Sequence, residues 1–175
     1  GGADADTFIF ALGGSIGGLI DGGASGDTLV GTDTANTWEI NGSDAGALNG
    51  QVFTGIENLT GGAEADAFVF ADGSSISGAV DGGGGSDTLD YSAYTTGITI
   101  DLGTGGATGT GGISNIENII GGLGADTLIG PDSDSIWYIT GTDAGSVGGV
   151  VFSGIENLTG GAGADTFIFA DGSRG

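Results

Sequence analysis

The chain has 175 residues, 43 of them Gly and one Pro, and it sets 23 Asp and Glu against a single basic residue, Arg174, for a formal net charge of −22. That charge repels nucleic acid and anionic membrane surfaces, while the absence of Cys, Met and His excludes disulfides, thiolate chemistry, haem attachment and histidine-ligated zinc or iron. No apolar run approaches the roughly 20 residues that span a bilayer, and 38% apolar residues without a Gly-X-Y triplet exclude collagen and argue against disorder.

The first predicted strand is Asp-Thr-Phe-Ile-Phe at 6 to 10, which returns as Asp-Ala-Phe-Val-Phe at 66 to 70 and as Asp-Thr-Phe-Ile-Phe at 165 to 169. Its aromatic pair points one way and the middle residue the other, the alternation of a strand. From Ile20 onward, apolar anchors recur every 19 to 21 residues, at Ile20, Ile40, Leu59, Val80, Ile100, Ile119, Ile139 and Leu158, each with Gly within three positions after it. A second apolar stretch follows about nine residues after several anchors, at Leu29, Phe68, Leu89, Leu128 and Phe167, so each coil has at least two strand faces. Units this short bury their apolar side only against the next copy.

These spacings predict an all-β fold, a parallel β-solenoid or β-helix of nearly nine coils of about 20 residues, right-handed by the usual crossover rule and rising about 4.8 Å per coil to roughly 40 Å. The anchors are expected to stack as one interior column. Gly every few residues costs a helix about 1 kcal/mol each, so helix is not expected. Residues 1 to 175 read as a single continuous domain, and the absence of an initiating Met and a basic leader reads as an excerpt of a longer repeat array.

Next along the chain, Phe53-Thr54-Gly55-Ile56-Glu57-Asn58-Leu59 recurs as Ile113 to Ile119, 60 residues later, and as Phe152 to Leu158, a further 39 on. Its apolar spacing of three breaks strand alternation and predicts a corner or third face, capped by Asn58, Asn118 and Asn157. Thr28, Thr88 and Thr127 take matching positions but not on every coil, too sparse for the flat Thr array of an ice-binding solenoid.

Upstream of the strands stands Gly-Gly-x-x-x-Asp, six times, ending at Asp6, Asp27, Asp66, Asp87, Asp126 and Asp165; the copies starting at 82, 121 and 160 also carry Gly at the fourth place. Asp before a strand commonly caps backbone N–H groups in an Asx turn. Stacked acidic side chains also call for cations, and hard oxygen ligands are the only type on offer, which suits Ca²⁺. Both readings stand, with the neighbouring-coil pairs Asp6/Asp27 and Asp66/Asp87 as the first metal candidates.

These loops resemble the Gly-Gly-x-Gly-x-Asp-x-U-x nonapeptide of RTX proteins. The likeness is diluted, because the motif comes at most once per coil and Asp4, Ser25 and Glu64 replace the fourth Gly. The block from Ile155 to Phe169 is also similar to repeats of very large secreted bacterial surface proteins, RTX-like adhesins and haemagglutinin-type filaments. The resemblance implies an extracellular or cell-surface location, Ca²⁺ as the possible cofactor, and a non-enzymatic stalk, fibre or filament with an unspecified receptor or glycan. The near identity of residues 1 to 10 and 160 to 169 suggests stacking of the chain on itself, head to tail. The alternative is a calcium-binding accessory module of a secreted polysaccharide-active enzyme. Catalysis on the solenoid itself would need a base and a cation, and with no His or Lys and only Arg174 the chain is read as other than an enzyme.

Overall fold

The computed structural model describes residues 1–171, which leaves Arg174 outside the described residues; these are all-β, with no helix long and apolar enough to cross a membrane. The nine-residue step winds the chain. Ile20 lies in an eleven-stranded sheet and Leu29 in a five-stranded one; Leu59 and Val80 lie in the five-stranded sheet, and Phe68 and Leu89 return to the first. Later the same step carries Ile119 to Leu128 and Leu158 to Phe167, between the eleven-stranded sheet and one of four strands. The four-stranded sheet extends the five-stranded one, because the Ile113 N–H donates to the Gly105 carbonyl at 2.7 Å where the two meet. Two long faces therefore enclose the core.

Register makes each face a stack of like with like. Leu29 pairs with Leu59 and Leu59 with Val80 on one face, while Trp38, Phe68, Leu89, Ile119 and Phe152 follow one another on the other; all are buried. Sequestering each such side chain is worth roughly 1.5–3 kcal/mol. No single repeat gains this alone, since its neighbours supply the cover.

Register also corrects the coil length. Parallel partners lie 21 residues apart from Leu59 to Val80 and Phe68 to Leu89, but 30 apart from Trp38 to Phe68 and 33 from Ile119 to Phe152. The described residues therefore form about five coils of roughly 20–30 residues, not nearly nine of 20. The longer coils contain antiparallel meanders. One runs through Thr37–Gly42, Ala45–Leu48 and Gln51–Thr54. Its equivalent runs through Ile136–Gly141, Ala144–Val147 and Val150–Ser153, and a third, built from Thr99–Asp101, Gly106–Ala107 and Thr110–Ser114, sits on the opposite face.

The anchors consequently do not form one column. Ile20, Ile40, Ile119 and Ile139 belong to the eleven-stranded sheet, Leu59 and Val80 to the five-stranded sheet, and Ile100 and Leu158 to the four-stranded one. Their even spacing arises because a meander strand and a coil strand happen to fall at the same interval. The spacing of three is a corner, as expected. Phe53 and Leu59 lie in different sheets, and Ile56 is buried between them. Outward threonines pair only as far as Thr7 with Thr28 and Thr99 with Thr127 before Asn58 and Asn157 interrupt them.

Candidate functional site: the acidic corners

Each Gly-Gly-x-x-x-Asp segment turns a corner into a strand, and its Asp joins a column of hydrogen bonds running along the axis. In the first column the Asp6 N–H donates to Asp27 Oδ1 at 2.7 Å and the Asp27 N–H to Glu57 Oε2 at 2.7 Å. The second begins at Asn36, whose N–H and Nδ2 donate to Asp66 Oδ1 at 2.6 and 2.7 Å. It continues from the Asp66 N–H to Asp87 Oδ1 at 2.7 Å and from the Asp87 N–H to Glu117 Oε2 at 2.8 Å. A third links the Ile98 N–H to Asp126 Oδ1 at 2.9 Å and the Asp126 N–H to Glu156 Oε2 at 2.7 Å. Ser135 Oγ donates to Asp165.

This arrangement explains the Ile-Glu-Asn segments. Glu57, Glu117 and Glu156 accept the N–H of the Asp on the preceding coil, and Asn58, Asn118 and Asn157 donate backbone N–H groups to the carbonyl of that same Asp at 2.9, 2.8 and 2.9 Å. Their Nδ2 atoms reach the same carbonyls at 3.0 to 3.3 Å. The expected Asn cap is thus half of a clamp whose other half is Glu. The first Gly of each motif is required by crowding. A Cβ at Gly82 would stand 2.6 Å from Asp87 Oδ2 and collide with the Asn115 carbonyl; at Gly22 it would stand 2.7 Å from Asp27 Oδ2 and collide with that of Gly55.

The four inner corners are dry. Asp27, Asp87 and Asp126 are wholly buried and Asp66 is 2% exposed. Burial pushes the Asp66 carboxyl above the usual carboxylate range against the pull of its bonds from Asn36 and Gly62. Burial also raises Asp87, opposed by the N–H of Asp66 and reinforced by the charges of Asp66, Glu117 and Asp81. Two carboxylate oxygens, Asp27 Oδ2 and Asp87 Oδ2, are buried with no hydrogen-bond donor among the described residues.

Of the six sequence candidates, the structure brings Asp6 to Asp27 and Asp66 to Asp87 on neighbouring coils. Asp126 and Asp165 are instead bonded to Ile98, Glu156 and Ser135. Among the described residues no three acidic side chains converge as a ready metal cage. The oxygen-only donor set nonetheless suits a hard cation, and the two orphaned oxygens leave buried acceptor capacity that Asp66 and Asp126, with both oxygens bonded, have spent. Sequence reading missed Asn36, Glu57, Glu117 and Glu156 as column members. The signal was a constant offset of 30 residues from Asp27 to Glu57, Asp87 to Glu117 and Asp126 to Glu156.

No curated protein and no solved structure matches the chain. The family described as peptidase M10 serralysin C terminal matches residues 71–174. That span takes in the Asp87 and Asp126 corners and two of the three meanders, and its description names the C-terminal part of these peptidases. The chain therefore belongs to the peptidase M10 serralysin C-terminal family, as an RTX-like β-roll repeat domain.

Proposed function

We propose that this domain is a calcium-stabilised, extracellular accessory module of a secreted enzyme. The family match favours an M10-type peptidase as that enzyme over the polysaccharide-active one expected from the sequence. The observation that carries the calcium reading is the pair of buried Asp oxygens without donors, in loops of the Gly-Gly-x-x-x-Asp type. An ionised carboxylate held in a dry corner is costly unless a cation or donor faces it. Bound Ca²⁺ would supply that countercharge where Asp6 meets Asp27 and Asp66 meets Asp87, with main-chain carbonyls completing its shell.

A stalk or adhesive fibre would use the same solenoid without an enzymatic neighbour. Head-to-tail association fits either role. Ile9 at one end and Phe169 at the other are 73% and 56% exposed beside open strand edges. A further coil covers such a surface, whether it comes from the same polypeptide or from a second copy.

Thermal unfolding in EDTA against a calcium titration tests the calcium reading. The melting temperature is expected to climb with Ca²⁺, since a ligand bound only by the folded state adds about 2.7 kcal/mol per site at a hundredfold excess over Kd. An unchanged melting temperature over the whole titration would reject it.

A further inference from the structure

Five of the six glycine loops adopt one of two conformations, and the two treat the Asp differently. In loops 1–6, 61–66 and 121–126 the N–H of the second glycine donates to Oδ2 of the loop's own Asp, from Gly2 to Asp6 at 3.0 Å, Gly62 to Asp66 at 2.7 Å and Gly122 to Asp126 at 2.6 Å. These loops are closed on themselves. In loops 22–27 and 82–87 the second and fourth residues are both left-handed, with φ of 102° at Gly23 and 81° at Ser25, and 88° at Gly83 and 113° at Gly85. The second N–H is thereby turned away. That of Gly83 goes to Asp81 Oδ1 at 3.1 Å, and Oδ2 of Asp27 and of Asp87 is left without a donor. Loop 160–165 is mixed, with Gly161 at 105° and no left-handed residue at the fourth place, and its Asp165, bonded at Oδ1 to Ser135, is only half-buried, unlike Asp27 and Asp87.

The two open loops share a position in the coil. Each lies 21 residues after a closed loop and stacks directly on it, with the Ala24 N–H donating to the Gly2 carbonyl at 3.0 Å and that of Gly84 to the Gly62 carbonyl at 2.8 Å. The fourth Gly does not decide the state. Gly124 stands in a closed loop, whereas Ser25 is forced to a positive φ in an open one, a conformation that is strained for a residue with a Cβ. Both open Asp residues are wholly buried. Loops that can cap their own carboxylate do so at three places, yet at these two the backbone holds an oxygen free.

We infer that the domain takes two calcium ions rather than six, one at Asp27 and one at Asp87, and that Asp6, Asp66 and Asp126 are positioning residues that close neighbouring corners through hydrogen bonds. This rests on the calcium reading above and adds its stoichiometry and its ligands. With no three acidic side chains converging among the described residues, the remaining oxygens at each ion come from main-chain carbonyls or water.

Isothermal titration of the metal-stripped chain with CaCl₂ tests it. The expected result is two ions per chain, one in either Asp27→Asn or Asp87→Asn, and none in the double variant. Asp66→Asn and Asp126→Asn should each retain two ions while melting lower both in EDTA and in calcium. Wild-type stoichiometry of three or more, or binding that survives in a folded double variant, overturns the two-site assignment and leaves the calcium reading intact. A folded wild-type chain that binds no calcium overturns both. The wild-type count requires no variant, so a double variant that fails to fold leaves the test standing.

Discussion

In the meander of residues 37 to 54 the interior is filled by Trp38, which stacks on Phe68 with ring centroids 5.6 Å apart and meets Phe53 edge-on at 6.3 Å. In the meander of residues 99 to 114 the same place is taken by Ile100, which pairs with Leu128 as Trp38 does with Phe68, and the aromatic bulk comes from the adjoining corner. There Tyr91 stacks on Phe70 at 5.0 Å and meets Tyr94 edge-on at 5.1 Å. The polar atoms separate the two solutions. The Trp38 Nε1 has no acceptor among the described residues, whereas the Tyr91 hydroxyl donates to the Thr108 carbonyl at 2.6 Å and that of Tyr94 to the Ser74 carbonyl. The core rings of one meander make no hydrogen bond of their own; those of the other also tie it, through phenol hydroxyls, to its own middle turn and to the preceding coil. Trp137, with Phe167 at 5.1 Å and Phe152 at 5.9 Å, repeats the first solution.

The largest effect should come from Trp38→Ala. Removing an aromatic side chain from a closed core costs about 3–5 kcal/mol, and Trp38 touches rings on two strands. Ile100→Ala, also at a fully buried position, should cost less, because Tyr91 and Tyr94 remain in place. Urea unfolding of the two variants measures the difference, and an equal loss would break the distinction between a Trp-filled and a Tyr-filled meander.

Glycines sharpen it further. A Cβ at Gly46, on the middle strand, would stand 2.9 Å from the Phe53 ring and collide with the Glu39 carbonyl, and one at Gly145 would meet Phe152 at 2.8 Å and the Tyr138 carbonyl. At Gly106 a Cβ meets only Thr104 Oγ1, at 3.3 Å. Gly46→Ala should therefore destabilise by about 1–3 kcal/mol through overpacking. Gly106→Ala should be neutral or stabilising by up to about 1 kcal/mol, since Ala restricts the unfolded chain. Melting temperatures that move the same way in both would show that the meanders are equally tight.

The solenoid was legible because the step from Leu59 to Phe68, or from Val80 to Leu89, carries the chain across the core each time. The meanders were not, because alternation records which face a side chain takes and not the direction of the strand. Ala45–Leu48 has too little apolar contrast to register as a strand. The available cue was Asn49-Gly50, a hairpin dipeptide, and these residues do adopt φ of 50° and 83°. At the corners, the six Asp residues were legible from their glycine frame. Their Glu partners were not, since a bond between Asp87 and Glu117 follows from coil length, which the hidden meanders had obscured. Which loops are open was equally hidden, because Ser25 and Gly85 share a backbone conformation without sharing a side chain.

The smallest effect appears only at high pH, where a Tyr-filled meander has a liability that a Trp-filled one lacks. Burial raises the Tyr91 phenol well above its ordinary value of 10.0, with the neighbouring Tyr94 adding to the shift. Burial raises Tyr94 as well, helped by the charge of Asp72 and opposed by its bond to Ser74. A folded-state pKa above the unfolded one means that the native chain retains protons which the unfolded chain has lost. The contribution is therefore fully present below about pH 10 and declines as pH rises through the folded values. Chemical unfolding of the wild type between pH 8 and pH 11 should show a stability loss that begins near pH 10. The double variant Tyr91→Phe with Tyr94→Phe should start lower, having given up two hydrogen bonds of about 1 kcal/mol each, but should lose less over the same interval. Parallel pH curves for the two proteins would show that these phenols do not govern the alkaline limit.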